Sequence, residues 1–135
     1  PSEVESFITL PQKEEHWADP DIGKIHRFDD AEIIERWPTH YPIPTYFDID
    51  YNKHVNNVVY VRWMVSAMDE SFLEGYEPAV VDVQWMHQTF RNDKVQVETG
   101  VVSRTDTEAE LVHSIRKDDG TILFEANTKW RKKPQ

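Results

Sequence analysis

Four side chains able to move a proton or hold a carbonyl group fall close together at Asp48, Asp50, Asn52 and His54. In an extended segment, alternate spacing would bring all of them to one side. An imidazole supplies a base near neutral pH, a carboxylate can orient it or attack directly, and an amide can hold a water or a carbonyl. Asn56 or Asn57 is suited to cap a following helix. The first turn of that helix (Val58, Val59, Tyr60) would then present unpaired N–H groups with partial positive charge, where an oxyanion could develop. The same residues also carry an ordinary structural reading, because Asp and Asn before a helix are common caps and turn formers and a lone His is more often structural than catalytic.

Composition narrows the chemistry. The chain has no cysteine, so any covalent nucleophile is oxygen or nitrogen, and a reducing compartment such as the cytoplasm is expected. Its 15 Lys and Arg against 25 Asp and Glu give a net charge of -10, which opposes a nucleic-acid partner. No stretch approaches the roughly 18 apolar residues of a membrane span. The opening Pro1-Ser2-Glu3-Val4 lacks the basic and apolar regions of a signal peptide. His87 could pair with His54 on a metal, but the His and carboxylate spacing has no metal-site pattern, so no metal and no organic cofactor is expected.

The elements that must position these groups follow from periodicity. At 135 residues the chain suits one packed core. Six of its eight prolines lie within residues 1–44, so residues 1–42 read as a linker or arm, with a short helix from Ala31 to Trp37 capped by Asp29 or Asp30 and stopped by Pro38. Residues 43–135 form the domain. A short strand from Ile43 to Asp48 precedes the polar cluster. Val58 to Leu73 reads as a helix with few polar positions, chiefly Arg62, Ser66, Asp69 and Glu70, a narrow stripe that predicts a central helix covered on most sides. Four strands follow: Val80 to Phe90, Lys94 to Thr105, Glu108 to Lys117 and Thr121 to Arg131, with Asp118-Asp119-Gly120 as a hairpin turn. Strand, helix, then four strands predicts an α+β fold in which a curved antiparallel β-sheet wraps around a central α-helix. Trp63, Trp85, Phe124 and Trp130, with Met64 and Met68, read as core before they read as an acyl pocket.

The run from Phe47 to Tyr60, followed by Trp63 and by Val81-Asp82-Val83-Gln84-Trp85, resembles the acyl-ACP thioesterase family within the hotdog thioesterase superfamily. The likeness extends over residues 43–131. It implies a hotdog fold, specifically the C-terminal catalytic hotdog domain of a tandem pair. It also implies hydrolysis of fatty acyl thioesters of acyl carrier protein. Carried across, the family's catalytic acid falls on Asp50, its amide on Asn52 and its imidazole on His54, with Asp48 supportive. A further catalytic Glu of plant members aligns with Gln84, a departure, since a neutral amide cannot act as a base; Asp82 on the same strand face is the candidate substitute. A cysteine found near Thr89 in plant members is absent.

Substrate contacts are expected from Asn56, Asn57, Val58, Asp82 and Gln84. Acyl carrier protein is acidic, so docking needs local positive charge, for which Arg62, Arg91, Lys94, Lys129, Arg131, Lys132 and Lys133 are candidates. A lone hotdog sheet is expected to form a homodimer or to pair with a second hotdog domain. A homodimeric acyl-CoA thioesterase and a non-catalytic acyl-binding or assembly domain are the alternative readings.

Overall fold

The structure, a computed structural model, describes residues 25–50 and 53–134. Asn52 and most of the sequence read as the arm therefore lie outside the described residues. Along the chain run a 3-10 turn (Phe28–Asp30), β1 (Glu35–Arg36), a second 3-10 turn (Tyr46–Asp48), α1 (Asn57–Ser66), α2 (Glu70–Gly75), β2 (Tyr76–Trp85), β3 (Val95–Arg104), β4 (Glu108–Lys117) and β5 (Ile122–Lys132). The strands form one antiparallel sheet in the order β1-β3-β4-β5-β2. The β4–β5 hairpin turns at Gly120, whose φ of 93° only glycine adopts without strain.

Alternation along the strands sorts the two faces. Val83, Val97, Ile115, Phe124 and Ala126 pack with Val59, Tyr60, Trp63 and Met64 of α1. Farther along the same face, Val101, Leu111 and Trp130 pack with Trp37, Met68 and Phe72. Each buried Val, Leu, Ile, Phe or Met among them contributes about 1.5–3 kcal/mol, so this seam holds α1 against the sheet. The aromatic residues read as core are core: Trp63, Phe124 and Trp130 are buried and Trp85 packs beside them. The α+β architecture, an antiparallel sheet laid against one principal helix, is the expected one.

Three local expectations are corrected. The helix expected over Ala31–Trp37 is instead a strand segment: Ile34 and Trp37 donate to the carbonyls of Val101 and Thr99 at 2.8 and 3.1 Å, and Glu35 and Arg36 pair with Val101 and Gly100. The open edge of β3 offers more hydrogen bonds than one isolated helical turn can supply. The strand expected from Ile43 to Asp48 is a loop ending in the second 3-10 turn. Pro42 and Pro44 withhold ladder donors, and the Asp48 carboxylate closes the turn by accepting the Thr45 N–H at 2.8 Å. The single helix expected to Leu73 is broken after Ser66, where Asp69 caps α2 by accepting the Phe72 N–H at 3.0 Å.

Two boundaries also move. β2 begins at Tyr76, tolerating Pro78 because it is an edge strand with a register shift between Pro78 and Val80. It ends at Trp85, so Met86–Phe90 leave the sheet. Among the described residues α1 is covered on one side, and Val58 and Val65 are 56% and 38% exposed.

The other sheet face is covered by the segment before β1. His26 and the Asn127 amide exchange two hydrogen bonds, at 2.7 and 2.9 Å. Arg27 donates to the buried Glu125 carboxylate at 2.8 Å, joined by the Phe28 N–H at 3.1 Å. Arg116 reaches Asp29 at 2.6 Å and lies over the Phe28 ring. Ile33 presses on Gly100 so closely that a Cβ there would stand 2.8 Å from it.

Candidate active site

The described residues of the polar cluster before α1 are folded together, not extended. Asp50 N–H donates to the His54 carbonyl at 2.8 Å, and the His54 N–H returns to the Asp50 carboxylate at 3.1 Å. Lys53 N–H donates to the Asp50 carbonyl at 3.0 Å, and Lys53 itself takes a left-handed φ of 68°. The alternation expected to place Asp48, Asp50 and His54 on one side is thus replaced by a tight loop, in which Asp50 and His54 meet and Asp48 turns inward. The loop is closed at its base by an antiparallel bridge between Ile49 and Val55.

The loop is fixed to its surroundings on both flanks. Asn56 caps α1 by accepting the Val58 N–H on its side chain at 3.0 Å, and its own N–H donates to the Asp48 carbonyl at 2.9 Å. Val55 N–H donates to the Thr89 carbonyl at 2.8 Å. Tyr60 on α1 donates its hydroxyl to Thr89 Oγ1 at 2.8 Å, and burial pushes the Tyr60 phenol up from its ordinary value. The Trp85 indole donates to the Asn57 carbonyl at 3.2 Å, tying β2 to the start of α1. The His54 ring meets Phe90 edge to face, centroids 5.2 Å apart.

This arrangement changes several expected roles. The Val58 N–H is occupied by the Asn56 side chain and the Val59 N–H by the Asn56 carbonyl, so neither stands open for an oxyanion. What remains is the field of the helix N-terminus. Val81, Val83 and Trp85 face α1, so strand alternation turns Asp82 and Gln84 to the opposite face, in register with Asn127 and Glu125. The two are not brought beside the Asp50–His54 loop. In their place the chain leaving β2 supplies Thr89 and Phe90, which reach the loop directly. Sequence reasoning had assigned no site role to Thr89, Phe90 or the Tyr60 hydroxyl, and no local spacing signals contacts between residues so far apart in the chain.

Of the basic candidates, Arg62 is engaged by Asp48, Lys129 by Glu110 at 3.5 Å, Arg131 by Glu77 at 2.9 Å, and Lys133 donates to the Leu73 carbonyl at 3.1 Å. Arg91 and Lys94, both exposed, flank the turn that carries Phe90 to His54. Among the described residues no group of His, Asp and Glu could hold a metal ion, and no helix is long and apolar enough to cross a membrane.

Residues 34–132 match the acyl-ACP thioesterase C-terminal domain family. The chain is 31% identical over 122 residues to a chloroplastic palmitoyl-acyl carrier protein thioesterase of Gossypium hirsutum, covering 84% of this chain and 28% of that protein. It is 30% identical over 119 residues to a chloroplastic dodecanoyl-[acyl-carrier-protein] hydrolase of Umbellularia californica, covering 85% of this chain and 30% of that protein. The chain thus spans less than a third of the length of either relative. In fold it is similar to the crystal structure of the 12:0-ACP thioesterase from Umbellularia californica, with a TM-score of 0.72 and 21% identity over 98% of this chain and 48% of that one. The hotdog fold is therefore established by topology and likeness together.

Proposed function

Because the chain belongs to the acyl-ACP thioesterase family, with its match in the C-terminal domain, we propose that it hydrolyses fatty acyl-ACP thioesters to free fatty acid and carrier-protein thiol. The observation that carries this reading is the closed loop at the N-terminus of α1, in which the Asp50 carboxylate is bonded to the His54 backbone while the imidazole stands against Phe90. Asp50, Asn52 and His54 are the catalytic set in this proposal. His54, or Asp50, takes a proton from a water that attacks the thioester carbonyl. The new C–O bond gives a tetrahedral oxyanion, which Asn52 and the helix field stabilise. Its collapse breaks the C–S bond, and the carrier thiolate takes up the proton. Direct attack by Asp50 would instead pass through a mixed anhydride that water resolves. Single turnover in oxygen-18 water separates the two, since label in the Asp50 carboxylate appears only by the second route.

Matched acyl-ACP and acyl-CoA substrates test the assignment. Hydrolysis should favour the carrier-protein thioester and fall by about 10²–10⁴ in His54→Ala, the usual worth of a general base. Equal rates with and without His54 would refute catalysis here, and a clear preference for CoA would refute the carrier-protein substrate.

For partners, we propose that acidic carrier protein docks beside the site at Arg91 and Lys94, and that a second hotdog domain covers the open side of α1. Support for the latter comes from exposed Val58 and Val65 on α1, exposed Tyr46 and Phe47 beside the site, and the β2 edge of the sheet. Light scattering showing a clean monomer of the chain alone would count against a homodimer. The relatives named above are chloroplastic, whereas the absence of cysteine fits any reducing compartment, the cytoplasm included. A fluorescent fusion in the source cell distinguishes these.

A further inference from the structure

Asp48 does no chemistry in the reading above, yet its side chain is only 4% exposed. Three parts of the chain converge on it. Its Oδ2 accepts the Thr45 N–H at 2.8 Å. Its Oδ1 accepts Arg62 Nη2, which comes from α1. Its carbonyl accepts the N–H of Asn56, the α1 cap, at 2.9 Å. Burial alone would push the Asp48 carboxyl up; the hydrogen bonds from Thr45 and Arg62 and the Arg62 charge overcome this and hold it below its ordinary value. The Asp50–His54 loop is therefore strung between one anchored residue and the helix it precedes. Inside it Lys53 keeps a left-handed backbone that a lysine adopts only where its surroundings hold it there.

We propose that Asp48 and Arg62 act together as a positioning unit that fixes where the Asp50 carboxylate and His54 imidazole stand against the start of α1. The inference rests on the reading that Asp50 and His54 are catalytic. The Arg62 side chain is 62% exposed, and ion pairs that open to water add little to stability. A purely structural role would therefore change almost nothing when Arg62 is replaced, whereas a positioning role changes turnover.

The test compares Arg62→Gln, Arg62→Lys, Asp48→Asn and the double variant Asp48→Asn/Arg62→Gln on an acyl-ACP substrate. A displacement of about 1 Å at a reacting group can cost up to about 10²-fold, so kcat should fall at least about tenfold in Arg62→Gln with KM within about twofold. Arg62→Lys, which retains the charge, should recover most of the loss. The double variant should be no worse than the worse single, as expected of one unit. Amide exchange at Asn56 should accelerate in Arg62→Gln while the melting temperature holds. The surface position of Arg62 keeps the test decisive even where Asp48→Asn fails to fold. An Arg62→Gln kcat within about twofold of the parent chain, or additive losses in the double variant, would overturn the proposal. Asp50→Asn and His54→Ala run alongside: if they too keep full activity, the site assignment has failed and the positioning role with it, whereas if they alone lose activity, only the positioning role is wrong.

Discussion

Acidification should destabilise the chain through one residue remote from the site. His113 on β4 is fully buried, on the sheet face it shares by alternation with Leu111 and Ile115, and burial holds its imidazole down to about 3 from an ordinary 6.5. Its Nε2 lies 2.8 Å from Thr128 Oγ1, and Nδ1 has no partner among the described residues. The folded state therefore refuses a proton that the unfolded chain accepts. Stability from this difference is complete above the unfolded value of 6.5 and is lost as pH falls towards about 3. The slope approaches about 1.4 kcal/mol per pH unit, so moving from pH 7 to pH 5 should cost about 2 kcal/mol, a large part of a domain's typical 5–15 kcal/mol. The buried Asp48 carboxylate does not share this window, because it is held below 3.8 and loses its contribution only at lower pH. Urea unfolding followed by tryptophan fluorescence at pH 7, 6 and 5 measures the slope in the parent chain and in His113→Leu. The variant should lack about 2 kcal/mol of the pH-dependent loss, whatever its stability at pH 7. Parallel pH dependences in the two proteins would refute the reasoning.

Tyr60→Phe removes the hydroxyl that reaches buried Thr89 and should lower stability by about 1–3 kcal/mol in a urea titration, with added mobility of the Val55 amide in hydrogen exchange. Asn56→Ala removes the α1 cap and should cost about 1 kcal/mol by the same assay. Gly100→Ala drives a methyl against Ile33 and should cost about 1–3 kcal/mol, relieved by pairing it with Ile33→Ala, as a thermal melt of the two variants would show.

The long strands were legible because their signals are local. β3 and β4 alternate apolar residues with period two, and Asp118-Asp119-Gly120 can hardly do other than turn. A cap at Asn56 or Asn57 and the start of the helix after it were legible for the same reason. The short helix expected at Ala31–Trp37 failed because its propensity is weak and the β3 edge, distant in sequence, claims its backbone. The strand expected at Ile43–Asp48 failed because a carboxylate at its end captured a backbone N–H three residues earlier. At the candidate site, that Asp50 and His54 stand together before α1 was legible from their close spacing. The wall they face was not, since it depends on where β2 ends, and ending it at Trp85 instead of Phe90 exchanges Gln84 for Thr89 and Phe90 as neighbours.

The segment before β1 makes the packed unit longer than the stretch that the family match covers. The family match begins at residue 34, but Arg27 and the Phe28 N–H, which neutralise and hydrogen-bond the otherwise sealed Glu125 carboxylate, come before it. A transplant cut at residue 34 would carry a carboxylate buried for a partner left behind. Its most economical repair would be Glu125→Gln or a small apolar residue, rather than a longer graft.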